Sequence, residues 1–322
     1  MHGSSHNVVS LATEPNGLPR AYNQLMDPEV VGTDAEIAAH ADEAADAQKT
    51  ADAEKAWNQW RNERNEALAS EHGWLSLTSL TWIPSADGPV EGFPGTWRAV
   101  DGEGVYAAFA AADGVTQNGM PVEGEVVFQL DDGDSETSLK HGTKVAEVAK
   151  RGGRYAVRVR DSLAPTRQRF KGVPVYGYDP SAVVKGTFEP FDEPRDIPIT
   201  TANPAVPGVA HIVGVVEFVY AGASAKLVVQ GDSSTLTAVF YDGTNGVETA
   251  DWRYVSFDAP EGGGAGPVKI DFNRAANFPA AFTPFGTCPM PPVGNGIQAP
   301  IRAGERRPFA EQSPVNAERP TY

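Results

Sequence analysis

Tyr155-Ala-Val-Arg-Val-Arg160 alternates short apolar side chains with long charged ones. In an extended chain successive side chains point to opposite faces, so Val157 and Val159 share one face while Arg158 and Arg160 share the other. Glu125-Val-Val-Phe-Gln-Leu130 and Leu236-Thr-Ala-Val-Phe-Tyr241 are runs of the same kind. Asp-Gly, Asn-Gly and Gly-Gly pairs stand between such runs, and they supply the positive φ that tight hairpin turns require. No long amphipathic helix interrupts this pattern after Trp74, and no unit of 20 to 50 residues repeats, which argues against a propeller or solenoid. The reading is a mainly β protein with two packed antiparallel β domains and an N-terminal helical extension.

Upstream of the strands the character changes. Residues 27–54 are rich in alanine and hold nine acidic residues. These types favour helix but bury little surface. Trp57, Trp60, Arg64 and Leu68 then recur at helical spacing, which predicts a helix that docks onto the body and ends at Gly73. Pro165, Pro174, Pro180, Pro190, Pro194 and Pro198 interrupt the strand pattern. Proline cannot donate to a ladder, so this region is expected to be connection or edge strand and to mark a boundary. The expected organisation is a disordered tail and acidic helix over 1–53, a docking helix over 54–73, β domains over 74–165 and 166–305, and a tail over 306–322.

The 322 residues include 42 acidic against 26 Lys and Arg, a net charge of −16. The mean hydropathy is −0.33. An acidic surface repels phosphate backbones and anionic lipid, so neither nucleic acid nor membrane is an expected partner. The apolar runs are far shorter than the roughly 20 residues that span a bilayer. A single cysteine, Cys288, allows no internal disulfide, and residues 1–28 hold no basic run followed by an apolar stretch. A cytoplasmic location is the expectation, subject to a leader cleaved ahead of this sequence.

The motifs along the chain resemble the bacterial and archaeal family known as domain of unknown function 1684. They are Gln59-Trp-Arg-Asn-Glu-Arg64, Gly73-Trp-Leu-Ser-Leu77, Arg151 to Asp161, Phe240-Tyr-Asp-Gly-Thr-Asn-Gly246 and Arg253-Tyr254. Asp271-Phe-Asn-Arg-Ala275, Thr287-Cys-Pro-Met-Pro-Pro292, Asn295 and Ala303-Gly-Glu305 complete the set. The resemblance spans about Trp57 to Glu305 and implies no established activity. Members of that family often read Pro-Pro-Cys-Ala-Phe where this chain has Phe278-Pro-Ala-Ala-Phe282, so a cysteine-pair mechanism is not expected. The first β half also resembles a forkhead-associated sandwich, without the usual phosphothreonine-binding elements of that fold. The second half is expected to be a β-barrel or sandwich.

The six histidines lack metal-ligand spacing, and no Gly-x-Ser-x-Gly elbow, Walker loop or dinucleotide fingerprint occurs. No metal or cofactor is expected. Arg158 and Arg160 are expected to pair with Asp161 and the acidic surface, and Cys288 reads as a buried, inert thiol. Trp74 and Trp82 are expected in the first β core. The densest polar signal is Asp271, Asn273, Arg274, Asn295 and Glu305, interleaved with phenylalanines, together with Arg253. Such a set suits a small polar ligand, and a carboxylate within it suits acid or base work. The competing reading is a structural network in which Asp271 and Glu305 pair with Arg253 or Arg274. The leading expectation is therefore a small-molecule enzyme, with hydrolysis as its reaction type, and its site in the C-terminal motif region. The alternative is a non-catalytic β module that binds a ligand or protein.

Overall fold

The computed structural model describes residues 34–308, with side chains from residue 42. Residues 1–33 and 309–322, on which most of the two expected tails fall, lie outside it. Contacts divide the chain into a unit of residues 1–49 and a unit of residues 50–322. In the first, residues 42–49 are helical with every side chain exposed.

The helix Asp34–Leu68 contains no glycine or proline. Within the second unit its buried residues are Trp57 and Leu68, with Trp60, Arg61, Arg64 and Asn65 half-buried between them. That is the stripe the spacing predicts, narrow because one face alone meets the body. The helix stops at Leu68, and a turn closed by the Gly73 N–H donating to the Ser70 carbonyl follows. Gly73 is not a left-handed cap, since its φ is −72°. A Cβ there would stand 2.9 Å from the carbonyl oxygens of Ala67 and Leu68, so the close approach demands glycine.

The first β section is a sandwich. One sheet orders Leu77–Trp82, Arg154–Asp161, Lys144–Arg151, Ser135–His141, Thr116–Gln117 and Met120–Pro121. The other orders Gly88–Val90, Phe93–Val100, Gly104–Phe109 and Gly124–Phe128. Phe93, Trp97, Phe109 and Phe128 meet Leu139, Val148, Val157 and Val159 in one core. Trp97 is fully buried, with edge-on contacts to Phe93 and Phe109. Trp74 and Trp82, placed in this core from sequence, are half-buried and outside it, Trp74 packing against the cluster of Leu68, Leu75, Val173 and Phe282. Trp82 instead lies under the Arg154 guanidinium, 4.4 Å from the ring centre.

The second section is one eight-stranded sheet, ordered Gly266–Asp271, Val183–Ile199, Gly208–Tyr220, Ala223–Gly231, Thr235–Asp242, Arg253–Asp258 and Ala276–Asn277. Gly296–Ile297 is added in parallel beside Thr235–Asp242. It does not close into a barrel. At the potential seam Arg253 and Tyr254 pair with Asn277 and Ala276, not with Gly266–Asp271. The proline-rich stretch holds the 17-residue strand Val183–Ile199, which keeps neighbours on both sides only as far as Phe188. Beyond it the strand is an edge, where a missing N–H costs least. Phe272 centres the core, its ring 5.4–5.7 Å from those of Phe218, Tyr220 and Phe240. No helix among the described residues is long and apolar enough to cross a membrane.

Candidate functional site

The strand Arg253–Asp258 alternates buried and outward side chains, so Arg253 enters the core while Tyr254 and Ser256 face away from it. The Arg253 guanidinium pairs with Asp242 at 2.8 Å, and neither side chain has any exposure. It also donates to the carbonyls of Ala303 (2.6 Å), Ile301 (2.9 Å) and Glu305 (3.1 Å). Asp242 further accepts from the Thr244 hydroxyl and from the N–H groups of Thr244 and Ile301. The ionic partner of Arg253 is thus the turn residue Asp242, not Asp271 or Glu305. A buried guanidinium needs a carboxylate and several acceptors, and Asp242 with the 301–305 carbonyls supplies them.

Glu305 reaches that place because Gly304 has a φ of +77°. A Cβ on Gly304 would also meet the carbonyls of Phe272 and Ala275. The turn sets the Glu305 N–H on the Ala275 carbonyl at 2.8 Å. The Glu305 carboxylate accepts from the Asn277 N–H at 2.6 Å and forms a two-pronged pair with Arg64 of the helix, whose Nη2 is 3.0 Å from Oε2. Arg64 also donates to the Asn277 carbonyl at 2.7 Å. Burial alone would lower the Arg64 pKa, but the Glu305 hydrogen bond and charge outweigh it and hold the guanidinium above its ordinary value.

Asp271 caps the short turn Phe272–Arg274, accepting from the backbone and side-chain nitrogens of Asn273. Asn273 in turn clasps the Asp179 backbone through both ends of its amide, and its own carbonyl accepts from Trp57 Nε1 at 2.7 Å. Arg274 is partly exposed, 3.8 Å from Asp271, with its guanidinium 6.0 Å over the Trp60 ring. Asn295 lies apart from these residues. Its amide bonds the Val228 N–H and carbonyl and the Val239 carbonyl, each at 2.9 Å. The ladder between Ala223–Gly231 and Thr235–Asp242 has only two residue pairs, and Asn295 satisfies backbone groups where it lapses.

An open groove of about 550 Å³ lies over the Arg64–Glu305 pair. It is lined by Trp60, Glu63 and Arg64 of the helix with Trp74, Tyr254, Ser256 and Arg274. Of the six candidate residues, Arg274 lines this groove, Glu305 anchors one of its walls through Arg64, Arg253, Asp271 and Asn273 serve structural networks, and Asn295 stands apart on the sheet. Tyr254 and Ser256 were missed as site residues, although alternation from the buried Arg253 puts them outward. Helical spacing marks Arg64 foremost as a docking residue, and it lines the groove as well.

A second ionic cluster fills the outer face of Arg154–Asp161. Arg158 and Arg160 both pair with Glu147, directly opposite Arg158 in the register, at 2.9 and 2.6 Å. Asp161, the partner expected from sequence, faces the other way along the alternation. Arg158 also donates to the Phe285 carbonyl and the Thr287 hydroxyl, and Arg160 to the carbonyls of His72 and Gly73. Both guanidiniums lie over the Trp74 ring, at 5.8 and 5.0 Å. Cys288 is buried, and burial pushes its thiol up to about 11. Among the described residues no three His, Cys, Asp or Glu side chains gather where they could hold a metal ion.

Residues 168–306 match the family model described as a protein of unknown function (DUF1684). The helix and sandwich motifs that carried the earlier part of that resemblance lie outside the matched stretch. No curated protein matches the chain. A solved structure that it resembles is the solution NMR structure of an uncharacterised protein from Haloarcula marismortui, 25% identical, with a TM-score of 0.37, over 44% of this chain and 78% of that one.

Proposed function

We propose that this protein binds a small polar molecule, without transforming it, in the groove between the helix Asp34–Leu68 and the strand Arg253–Asp258. The observation that carries this reading is the lining: three aromatic rings, a carboxylate, a hydroxyl and two guanidiniums converge on one open concavity. A site of a few hundred cubic ångströms, mostly apolar with a few fixed polar groups, is the usual form of a ligand pocket. Catalysis is supported less well, because the groups suited to it are already committed. Glu305 is held by Arg64 and Asn277, Asp242 by Arg253 and Thr244, and the Cys288 thiol is buried and protonated at neutral pH. The remaining carboxylate of the groove, Glu63, takes a hydrogen bond from Gln59 at 2.9 Å, and the Ser256 hydroxyl of the lining is paired with that of Thr237 at 2.8 Å.

A cytoplasmic location belongs to the same proposal, since a single buried thiol suits a reducing compartment. A thermal-shift screen against a library of polar metabolites tests the binding reading. A ligand at about one hundred times its Kd stabilises the native state by about 2.7 kcal/mol. The expected result is a compound that stabilises the parent but not Trp60→Ala. Hits that Trp60→Ala leaves untouched, or a ligand that is chemically turned over, would sink it.

A further inference from the structure

Resting on that binding reading, we infer that the groove takes a neutral carbohydrate, a short run of polyhydroxylated rings, in preference to an anion or a cation. The argument is one of charge and ring faces. Arg64 is committed to Glu305, and Arg274 lies 3.8 Å from Asp271, so the two guanidiniums of the lining already have carboxylate partners. Glu63 adds an exposed negative charge to the lining. An incoming anion would meet that carboxylate and would have to draw guanidiniums away from Glu305 and Asp271.

A cation meets a different obstacle. Aromatic cages attract cations through the ring quadrupole. Trp60 already has Arg274 over it, and Trp74 has both Arg158 and Arg160. A further cation would share these rings with like charges. A sugar pays neither cost, because its C–H faces are apolar and pack on aromatic rings while its hydroxyls both donate and accept. Around the rings stand suitable partners: the Glu63 carboxylate, the Arg274 guanidinium, the Ser256 hydroxyl and the Tyr254 phenol. The carboxylate and guanidinium can each engage two adjacent hydroxyls. The groove is open, which suits several linked rings lying along it.

The test is isothermal titration of the full chain at low and high salt. The probes are neutral glucose, galactose and N-acetylglucosamine tetrasaccharides, a galacturonate tetrasaccharide, and tetramethylammonium. The expected result is saturable binding of a neutral tetrasaccharide whose affinity is unchanged by salt, since no net charge is neutralised. Trp60→Ala weakens it by about tenfold or more, and Trp60→Phe, which keeps a ring face, restores most of the affinity. Trp60 is half-exposed, and circular dichroism confirms that both variants fold. Binding of galacturonate or tetramethylammonium alone, lost in Trp60→Ala, overturns the carbohydrate inference while the groove remains a binding site. If no probe binds, the carbohydrate inference fails, and the metabolite screen decides the groove separately.

Discussion

Arg253 and Asp242 form an ion pair at 2.8 Å from which solvent is wholly excluded. The guanidinium donates to Asp242 and to the carbonyls of Ile301, Ala303 and Glu305, so the pair fastens the C-terminal motif segment to the sheet. Removing Arg253 leaves a carboxylate in a region where water cannot replace the lost charge.

Arg253→Met is therefore expected to destabilise the protein by about 3 to 5 kcal/mol, the usual cost of breaking a buried pair from one side. Urea unfolding measures it. Asp242→Asn with Arg253→Met should recover part of that loss, because no lone charge is then buried. A cost below about 1 kcal/mol for Arg253→Met would mean that water reaches Asp242.

The tryptophans give a graded series. Trp97 is fully buried among Phe93 and Phe109, so Trp97→Ala should cost about 3 to 5 kcal/mol. Trp82 is half-buried beneath Arg154, and Trp82→Ala should cost about 1 kcal/mol, mostly the lost ring contact. Equal losses at the two positions, by thermal or urea unfolding, would contradict this assignment of the core.

Where the sequence was informative, the signal was local. Val157 and Val159 enter the sandwich core as alternation requires, and Trp57 to Leu68 forms the docking stripe that helical spacing predicts. The ionic partners were not legible, for a physical reason. Arg158 meets Glu147 because two strands pair in one particular register, and Arg64 meets Glu305 across 241 residues of chain. Charges show in a sequence but register does not. The outer face of Arg154–Asp161 reads as solvent-facing from its arginines, yet Trp74 and the Phe285–Thr287 segment cover it. The groove was hidden likewise, since Trp60, Trp74, Tyr254 and Arg274 come from four separate elements.

Alkaline pH should expose the buried thiol of Cys288. Burial raises it from an ordinary value near 9 to about 11 in the folded state. The unfolded chain then loses its proton first as pH rises. The stabilisation is complete below about pH 9 and falls away through pH 11, by about 3 kcal/mol at most. In urea unfolding across this range, Cys288→Ala should lose less stability than the parent by that amount. Parallel losses in the two proteins would show that the thiol is not responsible.

The pair between Arg64 and Glu305 joins the helix to the body, and its two partners are not equivalent. Glu305 is the deeper, with its side chain 3% exposed, whereas Arg64 is 17% exposed along the groove. Losing Arg64 strands a buried carboxylate that still accepts from the Asn277 N–H but has lost its cation, so Arg64→Met should cost about 3 to 5 kcal/mol. Glu305→Gln keeps an acceptor for Asn277 and leaves a guanidinium that water can reach through the groove. Its cost should be smaller, about 1 to 2 kcal/mol. Because the two residues act as one unit, Arg64→Met with Glu305→Gln should cost less than the sum of the single changes. Hydrogen exchange over residues 57–68, run beside urea unfolding, reports whether the helix loosens before the sheet. If Glu305→Gln proves the costlier change, or the double variant is additive, the pair is not what holds this helix.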